Sequence, residues 1–334
     1  MFKREYISGM KKVSISKRIA ITISILSQWT TGTVLAESQF EPYVLNGGLV
    51  SAIAGKDYLI IASDSRLTDG GYEILSREYL SSRIWSATDV DCHCIKHDGS
   101  LVLPSDTIVP TSMESDRNPY NYFHSCPTFI TSSGCASDCE SLKRQLRSEI
   151  NAHMHWNHGS KTLTPTGVAN LLSQTLYSRR SFPFYSFCIL AGMEQSGHAH
   201  VHVYDAIGSH ERVGIASAGN GKEMLQPILD RLFSSEGPND TIPHGTRLQR
   251  DDRAVLASQQ RVGLKLQPPV GTHVLCDCKM AEALLVKGYR SVAEREISIG
   301  DNIVVCVIQR EEKNAQSEEN VFSMQVKRYP LKQH

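Results

Sequence analysis

Thiols, imidazoles and a small set of hydroxyls are the groups in this sequence that could do chemistry. Cys92-His93-Cys94 with His97, and Cys276-Asp277-Cys278, carry the ligand types of a zinc centre. The CxC spacing is awkward on one tetrahedron, where zinc sites use the wider CxxC, so these cysteines read as loop residues of insertions. His153, His155 and His158 fall at the end of an expected helix and in the turn after it, which makes them a solvated helix end. His198, His200 and His202 alternate with Ala199, Val201 and Val203, and strand alternation alone predicts an exposed polar face opposite an apolar one. No metal and no cofactor is expected. The chain holds nine cysteines in no regular framework, with Cys188 and Cys306 inside apolar runs, which predicts reduced thiols of a cytosolic protein.

The elements that must position any site start at residue 40. FEPYVLNGGLVSAIAGKDYLIIASDSRL, Phe40 to Leu67, reads as strands over Leu49–Ala54 and Tyr58–Ala62 with a Gly55-Lys56-Asp57 turn. Their near-continuous Val, Ile, Leu and Ala predict burial on both faces of a sheet. The Gly47-Gly48 pair ahead of the first strand permits a tight turn or the close approach of another group.

This stretch resembles the start of the β-type subunits of the 20S proteasome, members of the N-terminal-nucleophile hydrolases. Further runs carry the same resemblance: YSRRSFPFYSFCILAG (Tyr177 to Gly192), YDAIGSHER (Tyr204 to Arg212) and AGNGKEMLQPILD (Ala218 to Asp230). Together they are similar to the non-catalytic β6-type class, over residues 40–85, 126–233 and 280–310. In active members an N-terminal threonine attacks, and its own amine serves as base. Counting back from the family's aspartate, here Asp64, the resemblance puts the nucleophile position at Gly48, which has no hydroxyl. The family's lysine falls in YLSSR, with Ser81 at the equivalent and Arg83 the only basic residue, a poor proton shuttle because it stays protonated. The supporting aspartate falls at Glu296, and the two supporting serines at Asn220 and Ile299. Asp64 alone survives, so the resemblance implies a non-catalytic chain. Ser51 and Cys135 are the rival nucleophiles, but one lies within a strand and the other begins a helix, and neither has an N-terminal amine.

The expected fold is an α+β four-layer αββα sandwich, two mainly antiparallel sheets flanked by helix pairs. Thr128–Ser133 predicts a strand, followed by a helix to about His155 with Ser137 or Asp138 as cap and Leu142, Leu146 and Ile150 on one face. Pro165-Thr166-Gly167 opens a second helix. Ser186–Gly192 and His198–Tyr204 predict a hairpin turning at Gly197, and Glu211–Ser217 a further strand. Lys222–Phe233 and Met280–Glu296 complete the helices, the latter with Ala283, Leu284, Val286 and Val292 inward. Asn302–Gln309 and Phe322–Val326 close the fold, and Glu73–Trp85 is expected to continue the first sheet. Insertions are expected at about 86–125 and 234–270, within one domain over 40–334.

Residues 1–39 form an extension. Lys11-Lys12 and Lys17-Arg18 precede the apolar Ile19–Leu26, and Val34-Leu35-Ala36 follows, a signal-like pattern over residues 11–36 too short to span a bilayer. The resemblance instead implies a propeptide and a protein of cytoplasm and nucleus. A secreted or organellar protein that kept the fold and left the particle is the other reading. Composition is neutral: 334 residues, 40% hydrophobic, 35 basic and 35 acidic, so no nucleic acid or other polyanion is suggested. The implied partners are the other α and β subunits in stacked heptameric rings, with no membrane. Phe182-Pro183-Phe184-Tyr185 is a candidate contact, with a core or loop-packing role as the equal alternative.

Overall fold

A computed structural model describes residues 43–70, 73–88, 95–101, 121–123, 126–156, 163–233, 274, 276–310 and 321–331. The extension, His158, Cys92-His93-Cys94 and the insertion expected at 234–270 lie outside these. Strands β1 (Leu49–Ala54) and β2 (Tyr58–Asp64) are buried along their whole length. Alternation splits their side chains between two cores. Val50, Ala52, Ala54, Leu59 and Ile61 face one cluster, and Leu49, Ile53, Ile60 and Ala62 face another. Each fully buried Leu or Ile here contributes about 1.5–3 kcal/mol, which makes this hairpin the spine of the molecule.

The short strands β3 (Leu67–Thr68) and β4 (Ile74–Ser76) pair only with each other, and β5 (Ile84–Ser86) joins a different sheet from β1. The region Glu73–Trp85 therefore leaves the first sheet instead of continuing it. Next come β6 (Asn121–Phe123), β7 (Thr128–Gly134), helices α1 (Ala136–Trp156) and α2 (Pro165–Ser178), β8 (Ser186–Met193), β9 (Ala199–Tyr204), β10 (His210–Val213) and β11 (Ile215–Gly219). Helices α3 (Lys222–Phe233) and α4 (Cys278–Ala293) and strands β12 (Asn302–Arg310) and β13 (Phe322–Pro330) end the chain. The expected single strand over Glu211–Ser217 is two strands. Gly214 separates them, and the chain passes from one sheet to the other there.

The two main sheets run β11-β1-β2-β12-β13-β6 and β10-β9-β8-β7-β5, and every pairing is antiparallel. β6, from the 86–125 insertion, pairs only with Phe322–Met324, so the rest of β13 has a strand on one side alone among the described residues. A core of Val50, Ile61, Phe129, Ile189, Val201 and Met324 lies between the sheets. A second, including Leu225, Leu229, Leu285 and Tyr289, lies under α3 and α4, and a third, including Leu142, Leu146, Ile150, Val168 and Leu172, under α1 and α2. This is the expected αββα sandwich.

Two local expectations are corrected. In α4 the inward residues are Ala281, Leu285, Val286, Tyr289 and Val292, while Ala283 is exposed and Leu284 half-buried. On β9, His200 and His202 are buried, not exposed. They share the helix-facing side of that sheet with Tyr204, whose hydroxyl donates to the Ala169 carbonyl of α2 at 2.8 Å. Among the described residues no helix is long and apolar enough to cross a membrane.

Candidate functional site

Gly48 sits at the mouth of β1, buried, with φ of +91°, a backbone conformation that favours glycine. Its carbonyl accepts from the Ser133 hydroxyl at 2.8 Å and from the Asn220 N–H at 2.9 Å. β7 and the end of β11 thus grip the residue from two sides. Asp64, at the end of β2, is fully buried and accepts the Leu49 N–H on Oδ1 at 2.8 Å. Burial pushes its carboxyl up to about 6, against the pull of the Arg83 charge and of the Leu49, Arg66 and Gly300 N–H groups.

Ser81 is not part of this arrangement, because its hydroxyl donates to Glu140 of α1 at 3.1 Å. Arg83 reaches in instead. It is buried, donates from Nη1 to the Gly47 carbonyl at 2.7 Å and from Nη2 to the Arg66 carbonyl at 3.2 Å. A Cβ built on Gly48 would overlap Nη1, Nη2 and Cζ of this guanidinium.

Asn220 and Glu296 are brought together, through a residue that sequence reasoning missed. Asn220 Nδ2 donates to Ser298 Oγ at 3.1 Å, and Ser298 Oγ donates to Glu296 Oε1 at 2.7 Å. Ser298 also lies against Gly47, where an added Cβ would stand 3.0 Å from the serine's own. Ile299 points away, into the core under α3 and α4. Ser133 was missed too, and its hydroxyl lies 3.3 Å from the Gly47 carbonyl as well as 2.8 Å from that of Gly48.

The chain before Gly48 is built into the fold. Asn46 donates its N–H to Gly134, accepts the Thr68 N–H, donates Nδ2 to the Thr68 carbonyl and accepts the Ala136 N–H on Oδ1 at 2.8 Å. That last bond caps α1 from 90 residues away. The expected caps do otherwise: Asp138 accepts the Tyr185 N–H at 2.8 Å, and Ser137 contacts Cys135 Sγ. Tyr43 stacks on Phe182 and Tyr185, with its hydroxyl on the Pro183 carbonyl.

The carbonyls that accept in this arrangement are those of Gly47 and Gly48 themselves. Gly48 has no hydroxyl, and the Ser133 and Ser298 hydroxyls are held by the Gly48 carbonyl and the Glu296 carboxylate. Ser51 is sealed in β1, bonded to the Tyr289 hydroxyl at 2.9 Å, and Cys135 is buried at the start of α1. Among the described residues no three of His, Cys, Asp and Glu converge as metal ligands. Cys276 and Cys278 are free thiols, and Tyr58 bonds to the Cys276 carbonyl at 2.9 Å.

A double antiparallel sandwich of this kind, with its centre at the mouth of β1, is the N-terminal-nucleophile hydrolase fold. A family profile described as Proteasome subunit matches residues 92–243. Proteasome subunit beta type-1 of Dictyostelium discoideum is 33% identical over 210 residues, 63% of this chain and 72% of the relative. That of Danio rerio is 28% identical over 281 residues, covering 84% and 87%, and that of Arabidopsis thaliana 33% over 201 residues, covering 60% and 71%. The chain belongs to the proteasome subunit family.

Proposed function

We propose that this chain is a non-catalytic structural subunit of the 20S core particle, filling the beta type-1 position of a seven-membered β-ring. The similarity to beta type-1 relatives supports the position in the ring. The observation that carries the loss of catalysis is at Gly48: the residue assigned to the nucleophile has no side chain, and the space beside its Cα is taken by the Arg83 guanidinium. Catalysis of the family's type needs both a hydroxyl and a free amine at one residue. In this reading Asp64, Ser81, Asn220, Glu296 and Ile299 are the remnants of the other site positions. The chain contributes to protein degradation by closing the chamber and supporting neighbouring active subunits in cytoplasm and nucleus. Permanent contacts of this kind are large and apolar at their centres. Residues 1–39 act as a propeptide ahead of a single domain.

The test is native recovery of the C-terminally tagged protein from its own cells, with sizing and mass spectrometry. Co-recovery with the other α and β subunits in one large particle is the expected result. A free monomer cleaved after Ala36 would sink the proposal in favour of a secreted protein of the same fold.

A further inference from the structure

The vacated nucleophile position is not empty. Gly48 lacks a side chain, yet the space beside its Cα is filled by the guanidinium of Arg83, so a Cβ at residue 48 would fall within that group. An arginine head group at the end of a flexible stem can usually move aside. This one is held: it is 2% exposed, it donates to the Gly47 and Arg66 carbonyls, and its own backbone carbonyl accepts the Ser132 N–H at 3.1 Å. Tyr79 lies under the same guanidinium, 5.7 Å from ring centroid to Cζ. The buried Asp64 carboxyl also feels its positive charge.

We propose that Arg83 is the surrogate side chain of the vacated site: it supplies from β5's leading loop the volume that residue 48 no longer carries, and with it a positive charge that Ser81, at the family's lysine position, does not provide. This rests on reading Gly48 as the nucleophile position. Glycine at 48 is then required twice over, by its backbone angle and by the group that occupies its side-chain space. The two requirements can be separated, because the backbone strain of an alanine at 48 is present whatever stands at 83, whereas the steric conflict disappears when the guanidinium is removed. The junction also joins elements distant in sequence. Arg83 fastens the segment before β1 to the residues after β2 and, through Ser132, to β7.

A double-mutant cycle in the full-length chain tests this, read as the melting midpoint of the soluble protein in lysates of its own cells. Gly48→Ala is expected to lower the midpoint by about 4 °C or more. In the Arg83→Ser background the same change is expected to lower it by less than half as much. Equal losses in both backgrounds, or no loss in either, would overturn the proposal. If Gly48→Ala alone gives no soluble protein, its recovery in the double variant is the expected result, and continued loss while Arg83→Ser remains soluble overturns it. Should Arg83→Ser itself be lost, Arg83→Lys supplies the background, because an ammonium is more compact than a guanidinium. Failure of the underlying reading would look different. Peptide hydrolysis by the wild-type chain, freed of other subunits, would refute the non-catalytic assignment whatever the cycle reports.

Discussion

At the scale of single residues, Gly48, Asp64 and Asn220 meet at one end of β1, β2 and β11: Asp64 accepts the Leu49 N–H, and Asn220 donates its N–H to the Gly48 carbonyl. Ser81, the expected lysine equivalent, turns to Glu140 of α1, and it is Arg83 that reaches the Gly47 carbonyl. The stretch before β5 is irregular turn, where no periodicity fixes which side chain turns inward, and Arg83, the only basic residue in YLSSR, was the available signal. Ser133 and Ser298 carried no signal, since each becomes part of the site only by pairing across the sandwich. Asn46 gives a direct prediction. Asn46→Ala removes the bonds to Thr68 and Ala136, and should cost about 1–2 kcal/mol, seen as a lower melting midpoint. His202 gives one in pH. Burial, then His210 and Arg212, push its ring down to about 4, and burial, Arg212, His202 and His198 push His200 down to about 3. His200 meets Glu194 Oε1 at 3.1 Å, a contact its neutral ring makes by donating Nε2–H. Both rings therefore refuse protons that the unfolded chain accepts near 6.5. Their stabilisation is complete above that pH and is lost as pH falls toward 4, by up to about 1.4 kcal/mol per pH unit for each ring. Asp64 works oppositely, its raised pKa favouring the fold as pH drops below 6. Since neither nitrogen of His202 has a hydrogen-bond partner among the described residues, His202→Leu should leave stability at pH 7.5 unchanged or higher and flatten the decline between pH 6.5 and 4.5 in thermal melts.

At the scale of elements, helices and long strands were legible, and the joints between them were not. Apolar periodicity showed that Glu211–Ser217 is extended, but a strand that changes sheets at Gly214 keeps the same alternation throughout. Likewise the cap of α1 could not be read locally, because Asn46 arrives from the start of β1. The turn between α4 and β12 is a further joint of this sort. Asp301, at φ of +60°, accepts Nε of the fully buried Arg66 at 2.8 Å and also binds Arg77, while its carbonyl accepts the Leu331 N–H. Burial raises its carboxyl, but the two arginines outweigh that and hold it below the ordinary range. Asp301→Asn keeps the shape and tolerates the same backbone angle, yet leaves Arg66 buried without its counter-charge. The expected loss is about 3 kcal/mol or more, measured by thermal or urea melting, whereas Arg77→Ala, at a half-exposed position, should change stability little.

At the scale of the whole molecule, the four layers follow from two buried hairpin strands and four amphipathic helices, all of them readable. The 86–125 insertion was legible only as an interruption, because three residues of sheet pairing are too few to show a period. The cysteines test the packing as a unit. Cys126, Cys135, Cys139, Cys188, Cys276 and Cys306 are buried, and burial pushes the Cys188 thiol up to about 12. In native protein at pH 7.5 these six should resist maleimide, then label together as the chain melts, read peptide by peptide in a mass spectrometer. Labelling of Cys188 well before the melting transition would show that the α1–α2 layer opens alone. The half-paired strand β13 bears on a different matter, the fate of copies made in excess of their partners. Beyond Met324 it has β12 alone beside it among the described residues, and a strand edge of that kind is a template on which another chain could polymerise. That half of the strand is also where Lys327, Arg328 and Pro330 are found, two like charges and a residue without an N–H. Stacked copies would set charge beside like charge along the seam, and Pro330 would leave its end unbonded. An orphaned copy is thereby guarded against amyloid-like growth by the composition of its own last strand.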